Sequence, residues 1–177
     1  LSDPASDYER FVRPLEQRMI LSVWRILRNA DDADDAIQDA LTTVWRQWGR
    51  LCRHSNPQAL LLRICIDAAC DRLRRRSRQL RVDGSHSKMR ALTNSGASQQ
   101  LEQQETETEI LQAIAMLPGK QCVATYMRLV EGHSYEAIAA ALGCGEPSAR
   151  KHVARGRQRL QSTIAHLAPT QTKDIKP

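Results

Sequence analysis

The chain has 177 residues, 41% hydrophobic but only 4% aromatic, and 26 Lys and Arg against 20 Asp and Glu leave a formal net charge of +6. Such a chain holds one ordinary domain or two small ones, and Ala, Leu, Arg and Gln with few aromatics favour helices over sheets. A modest excess of base points towards a polyanionic partner. The five cysteines without close pairing argue against a disulfide framework, and no apolar run approaches membrane-spanning length.

In chain order, residues 7–78 read as helical. The N-terminus, LSDPASDYERF, begins acidic and lacks an apolar leader segment, so a cytoplasmic location without membrane insertion is expected. A helix is predicted from Ala33 to Trp48. At about 100° per residue, Ile37, Ala40, Leu41, Val44, Trp45 and Trp48 share one side, while Asp35, Gln38, Asp39, Thr42 and Arg46 share the other. Gly49 is suited to end it. Asn56 then caps a helix that starts at Pro57 and reaches about Arg76. It is apolar nearly all round (Leu60, Leu61, Leu62, Ile64, Ile66, Ala68, Ala69), as the central helix of a bundle would be. It ends in a basic run, Arg72 to Arg81, which suits the negative end of a helix dipole.

Residues 79–100, rich in Gly, Ser, Asn and Gln, cannot bury enough surface to offset their ordering entropy and read as a flexible linker. Residues 101–167 are helical again, and 168–177 form a polar tail. Glu102 to Met116 is one helix. Pro118 opens the next, which reaches Glu131 and stops at Gly132. Ser134 caps a short helix, Tyr135 to Leu142, closed by Gly143, and the last helix runs from Glu146 to about Ala165.

Short helix, glycine turn, basic helix is the arrangement of a helix-turn-helix. On its second helix Ala149, Val153, Gly156 and Leu160 form the inward stripe. Ser148, Lys151, His152, Arg155 and Arg159 point away, with Arg150 and Arg157 on the flank. Such a helix can enter a major groove, neutralise phosphates and read guanine edges.

At this point LPGKQCVATYMRLVEGHSYEAIAAALGCGEPSARKHVARGRQRL resembles region 4 of the extracytoplasmic function (ECF) group of the sigma-70 family. NADDADDAIQDALTTVWRQW and NPQALLLRICIDAACDRLRRRSR resemble region 2, in the family's order. The resemblance implies an all-α chain of two small helical domains that directs core RNA polymerase to promoters and helps open the −10 element. It implies that Asp34, Asp35, Gln38 and Asp39 meet the clamp of the largest polymerase subunit. The loop Leu51 to Asn56 would capture an unstacked −10 base, with Arg53, His54, Ser55, Asn56 and Arg63 supplying polar and cationic contacts. Ser148, Arg150, Lys151, His152 and Arg155 would read the −35 element. The family often carries an aromatic where Leu60 or Leu61 stands here. An anti-sigma factor is a further expected partner; no cofactor is implied.

Two other readings compete. A stand-alone helix-turn-helix regulator would share the second half but has no use for an acidic helix near DNA phosphates. A metal- or phosphate-handling enzyme would need about four ligands or a glycine-rich phosphate loop. Cys52 and His54 do not make such a set, and no such loop accompanies the aspartates, so no metal site and no catalytic residue are expected. Trp24, Trp45 and Trp48 read as core residues rather than DNA wedges. The two halves, patterned separately, are expected to move independently.

Overall fold

The computed structural model describes residues 4–82 and 98–165, and every regular element among them is helical. A first helix, α1 (Pro4–Phe11), leads through a 3-10 turn (Arg13–Leu15) into α2 (Glu16–Leu27), which buries Met19, Ser22, Val23, Ile26 and Leu27. Arg28 takes a left-handed conformation (φ 49°) to stop α2, and its amide returns to the Trp24 carbonyl. The Asn29 side chain then accepts the Asp32 amide at 2.9 Å and caps α3 (Ala30–Arg46). Asp31 and Asp32 in that first turn face the positive end of the helix dipole.

The stripe that α3 buries is Ala33, Ala36, Ala40 and Val44. Ile37 and Leu41 lie on its flanks, half-buried. Trp45 is 59% exposed and Trp24 is 40% exposed, so neither is the core residue that the sequence predicts. Small side chains let α3 lie close to its neighbours, and the helix rolls so that its alanine face leads. α3 also ends at Arg46 rather than at Gly49, which sits inside the short α4 (Trp48–Cys52).

The central helix is α5 (Pro57–Val82), 26 residues or about 39 Å long. The Asn56 side chain caps it by accepting the Ala59 amide at 3.0 Å. Leu60, Leu61, Leu62, Ile64, Cys65, Ile66, Ala69 and Cys70 are all buried, in keeping with its nearly all-round apolarity. Then follow α6 (Ser98–Ala115), α7 (Gly119–Leu129), α8 (Tyr135–Leu142) and α9 (Glu146–Thr163). Residues 79–82 and 98–100, assigned to the linker by sequence, are therefore helical. Gln79, Leu80 and Arg81 carry adequate helix propensity, and no breaker intervenes before Gly84. Residues 83–97 and the tail from 166 on lie outside the described residues.

The two halves pack on one another instead of standing apart. Cys122 to Met127 of α7 are all buried, because α6, α8 and α9 pack on it from its own half and α5 from the other, with Tyr126 reaching Ser22 of α2. Hydrogen bonds and one sulfur–sulfur contact join the halves. The Glu131 carboxylate, 5% exposed, accepts from Arg18 Nε and from Ser22 Oγ, both at 2.7 Å. Arg18 Nη2 also reaches the Glu131 carbonyl at 3.1 Å, and the Tyr126 hydroxyl donates to the Ser22 carbonyl at 3.2 Å. Further along the seam, Arg74 Nη2 donates to the Leu117 carbonyl at 2.6 Å and Arg63 Nη1 to that of Ala141 at 2.9 Å. His54 Nε2 donates to the Ala140 carbonyl at 3.1 Å, while its Nδ1 accepts the Asn56 amide. Independent motion of the halves therefore requires this seam to break.

Candidate nucleic-acid interface

The second half presents the clearest surface. Ser134 accepts the Ala137 amide at 3.1 Å and starts α8, and Gly143 closes it at φ 61°, a conformation that a side chain would strain. α9 then crosses closely over α7 at Gly156. A Cβ there would fall 2.0 Å from Thr125 Oγ1, so only glycine allows this approach. Ala149, Val153, Gly156 and Leu160 are buried, as the sequence predicts. Ser148, Arg150, Lys151 and Arg155 are exposed on the outer side, beside Arg157 and Arg159.

His152 departs from that outward set. It is half-buried, and its pKa is lowered by burial and by the charges of Lys120 and Arg155. Arg150 is already engaged: its Nε donates to Glu146 at 3.0 Å, and its guanidinium lies 4.3 Å from the centre of the Tyr135 ring. Arg128 covers the same ring at 4.7 Å. Arg150 is thus oriented by its neighbours, while the ammonium of Lys151 and the guanidinium of Arg155 extend into solvent.

In the first half, Asp34, Asp35, Gln38 and Asp39 all lie exposed on one face of α3. They are not equivalent. Arg72 pairs with both Asp32 and Asp35, and Arg76 adds a bond to Asp32 at 3.1 Å. Among the described residues, Asp34 and Asp39 keep unpaired carboxylates, and these are the charges most available to a basic partner.

The five residues expected at the −10 element divide. Arg53 and Ser55 are exposed. Asn56 spends its side chain on the α5 cap. His54 and Arg63 reach across the seam to the last carbonyls of α8, and Arg63 also pairs with Asp67 at 3.1 Å. The expected loop is shorter than Leu51 to Asn56, because Leu51 and Cys52 belong to α4 and Leu51 is buried. Leu60 and Leu61, standing where the family often carries an aromatic, are core residues.

The structure brings together residues that the sequence leaves on separate helices. A groove of about 450 Å³ runs between α3 and α5, lined by Arg46, Arg50, Arg63, Arg72 and Arg75 along with Asp39, Asp67 and Asp71. Burial raises the Asp67 pKa, against the opposing effect of Arg63. Beside the groove, Trp45 packs edge-on against Trp48 with ring centres 4.9 Å apart and leaves much of its own surface open to solvent. Arg46 and Arg50, four residues apart across the junction of α3 and α4, share one rim of the groove.

Residues 11–79 match the family model for sigma-70 region 2, and residues 107–160 match that for sigma-70 region 4. The chain is 29% identical over 140 residues to the ECF RNA polymerase sigma factor SigM of Mycobacterium tuberculosis, covering 79% of this chain and 68% of SigM. It is 29% identical over 143 residues to the RNA polymerase sigma factor CarQ of Myxococcus xanthus, covering 81% and 80% of the two chains. Among solved structures it resembles a chain of the co-crystal structure of the sigma factor RpoE with the anti-sigma factor NepR from Bartonella quintana. The TM-score is 0.54 at 22% identity, with 90% of this chain and 97% of that chain covered.

Proposed function

Because the chain belongs to the sigma-70 family of RNA polymerase sigma factors, in its ECF group, we propose a division of labour among its surfaces. The exposed acidic face of α3 docks on the clamp of the largest polymerase subunit, with Asp34 and Asp39 as the free charges and Asp35 and Gln38 beside them. Arg53, His54, Ser55, Asn56 and Arg63 receive the −10 element, and Arg63 also lines the groove between α3 and α5. The outer face of α9, through Ser148, Arg150, Lys151, His152 and Arg155, reads the −35 element. As a sigma factor the chain directs core polymerase to promoters and works where polymerase works, in the cytoplasm. An anti-sigma factor is a fitting further partner, and the structural neighbour was solved with one. Among the described residues no helix is long and apolar enough to cross a membrane.

One observation carries the reading: a single chain presents an exposed acidic face on one half, with Asp34 and Asp39 unpaired among the described residues, and an outward basic helix on the other. Acid repels DNA phosphates and attracts a basic protein surface, so the two faces need different partners. A stand-alone operator binder uses only the second.

The test is an Asp34→Arg, Asp39→Arg double variant. Both sites are exposed, so circular dichroism should match the parent. Duplex binding by α9 should persist. Capture by core polymerase and promoter-dependent transcription should be lost, since like charges then meet across the docking surface. A folded variant that still binds polymerase with parental affinity and transcribes normally refutes the clamp assignment.

A further inference from the structure

Cys70 lies on α5 and Cys122 on α7, so each half of the chain supplies one cysteine to the seam. Their sulfurs are 2.8 Å apart, and both residues are 1% exposed. A disulfide bond is about 2.05 Å long, so the sulfurs need to approach by less than about 1 Å to bond. Cys65, also buried on α5, offers the contrast: burial alone pushes its thiol up to about 12. Buried cysteines commonly serve as small hydrophobes, and Cys65 fits that description. A pair in contact across the boundary of two halves does something that Cys65 cannot: joined, it ties the halves together covalently.

We propose that Cys70 and Cys122 form a peroxide-responsive thiol pair, whose disulfide clasps the two halves together and keeps the chain from engaging promoter DNA. The regulatory part of this proposal rests on the sigma-factor reading above; the chemistry of the pair does not. In the packed arrangement His54 and Arg63, both proposed for the −10 element, are bound to the C-terminal carbonyls of α8. A covalent tie between α5 and α7 holds that arrangement and keeps those side chains occupied.

The chemistry closes without a cofactor. A hydroperoxide is the oxidant. The contact with Cys122 and burial hold the Cys70 thiol protonated while the halves are packed, so reaction begins when they part. One cysteine thiolate attacks the nearer oxygen of the hydroperoxide, the O–O bond breaks, and the departing alkoxide takes up a proton to leave as the alcohol. The sulfur becomes a sulfenic acid. When the halves close, the second thiol attacks that sulfur. The S–S bond forms, and hydroxide leaves with the attacking thiol's proton as water. Two thiols and one hydroperoxide give one disulfide, one alcohol and one water.

The experiment uses the full chain, hydrogen peroxide as probe, and Cys70→Ala and Cys122→Ala variants, one on each half in case either folds poorly. Alkylation and peptide mass mapping should find an intramolecular Cys70–Cys122 disulfide in the parent, with Cys65 remaining a thiol. Transcription with core polymerase should fall by about thirty-fold or more on oxidation and recover with dithiothreitol, since a cross-link of this kind shifts a conformational equilibrium by at least that factor. Both variants should transcribe equally before and after peroxide. If no such disulfide forms, or if it forms and transcription is unchanged, the proposal is overturned. If the reduced parent fails to transcribe at all, the sigma-factor reading falls instead. In that case the cross-link map, with small-angle scattering of the oxidised and reduced chains, still decides whether the pair clasps the halves.

Discussion

The packed arrangement makes Glu131 a sensitive point. Its carboxylate is nearly inaccessible and takes bonds from Arg18 and Ser22, both on the other half. Glu131→Ala removes both bonds at once. A hydrogen bond to a charged group contributes about 1.5–3 kcal/mol, and breaking a buried ion pair costs about 3–5 kcal/mol. Here the lower part of that range applies. The Arg18 side chain is 43% exposed and regains water, and the single Ser22 hydroxyl hydrogen can turn wholly to the Arg18 carbonyl, its alternative acceptor. A loss of about 2–3 kcal/mol shifts the balance between packed and parted halves by about thirty- to 160-fold. Glu131→Gln should lose less, because the amide oxygen still accepts from Ser22. Dyes placed through unnatural amino acids at exposed Gln17 and Gln158 would report the separation of the halves by energy transfer. The parted fraction should rise in the order parent, Gln, Ala. An Arg18→Ala variant combined with Glu131→Ala should show strong non-additivity, since both remove the same bond. Unchanged energy transfer in a folded Glu131→Ala chain would refute the claim that this ion pair holds the seam.

Lys151→Ala and Arg155→Ala should each weaken duplex −35 binding. A lost phosphate contact lowers the salt slope by about one unit, a lost base contact costs about 1–3 kcal/mol and relaxes specificity, and salt titration of binding separates the two. Gly156→Ala places a methyl group against Thr125 and should cost about 1–3 kcal/mol, seen as a lower Tm. Thr125→Ala in the same chain should restore part of the loss, because it removes a buried hydroxyl that has no partner. His133 and His152 both have pKa values lowered from 6.5, first by burial and then by Arg18 for His133 and by Lys120 and Arg155 for His152. Below 6.5 the unfolded chain therefore binds more protons than the folded one. The stability from these two groups is present above 6.5 and lost as pH falls through their folded values. Urea unfolding at descending pH should show this decline, and a double His133→Asn, His152→Asn variant should flatten it.

What the sequence makes legible is local. Ser134, Gly143 and the apolar stripe of α9 specify the helix-turn-helix because caps, a left-handed residue and a 3.6-residue period act within one or two turns. The all-round apolarity of α5 likewise announces a helix covered on every side. The sequence does not say what covers it. Part of that cover is α7, more than forty residues on, and no period or cap encodes that pairing. The exposure of Trp45 is hidden for a related reason. On a helical wheel it lies about 100° from Val44, at the edge of the apolar arc, and the tight approach allowed by Ala33, Ala36 and Ala40 leaves that edge outside. The −10 residues show the same limit. Residue type marks Arg63 and His54 as able to hold an anion, yet their partners come from the other half of the chain.

Those partners are the terminal carbonyls of a helix. The end of α8 carries the partial negative charge of its aligned peptide dipoles, roughly half an elementary charge. A guanidinium and an imidazole N–H have therefore found within the chain a weak imitation of a phosphate. Nucleic acid would have to displace this internal counterfeit before it could use either side chain. Any affinity measured for −10 DNA is then a competition result, reduced by the fraction of molecules in which the helix end already occupies the position. Salt acts on both sides of that contest. It loosens the DNA through counterion release and also screens the weaker dipole contact. The ionic-strength dependence of −10 binding should thus be shallower than a count of phosphate contacts alone would give.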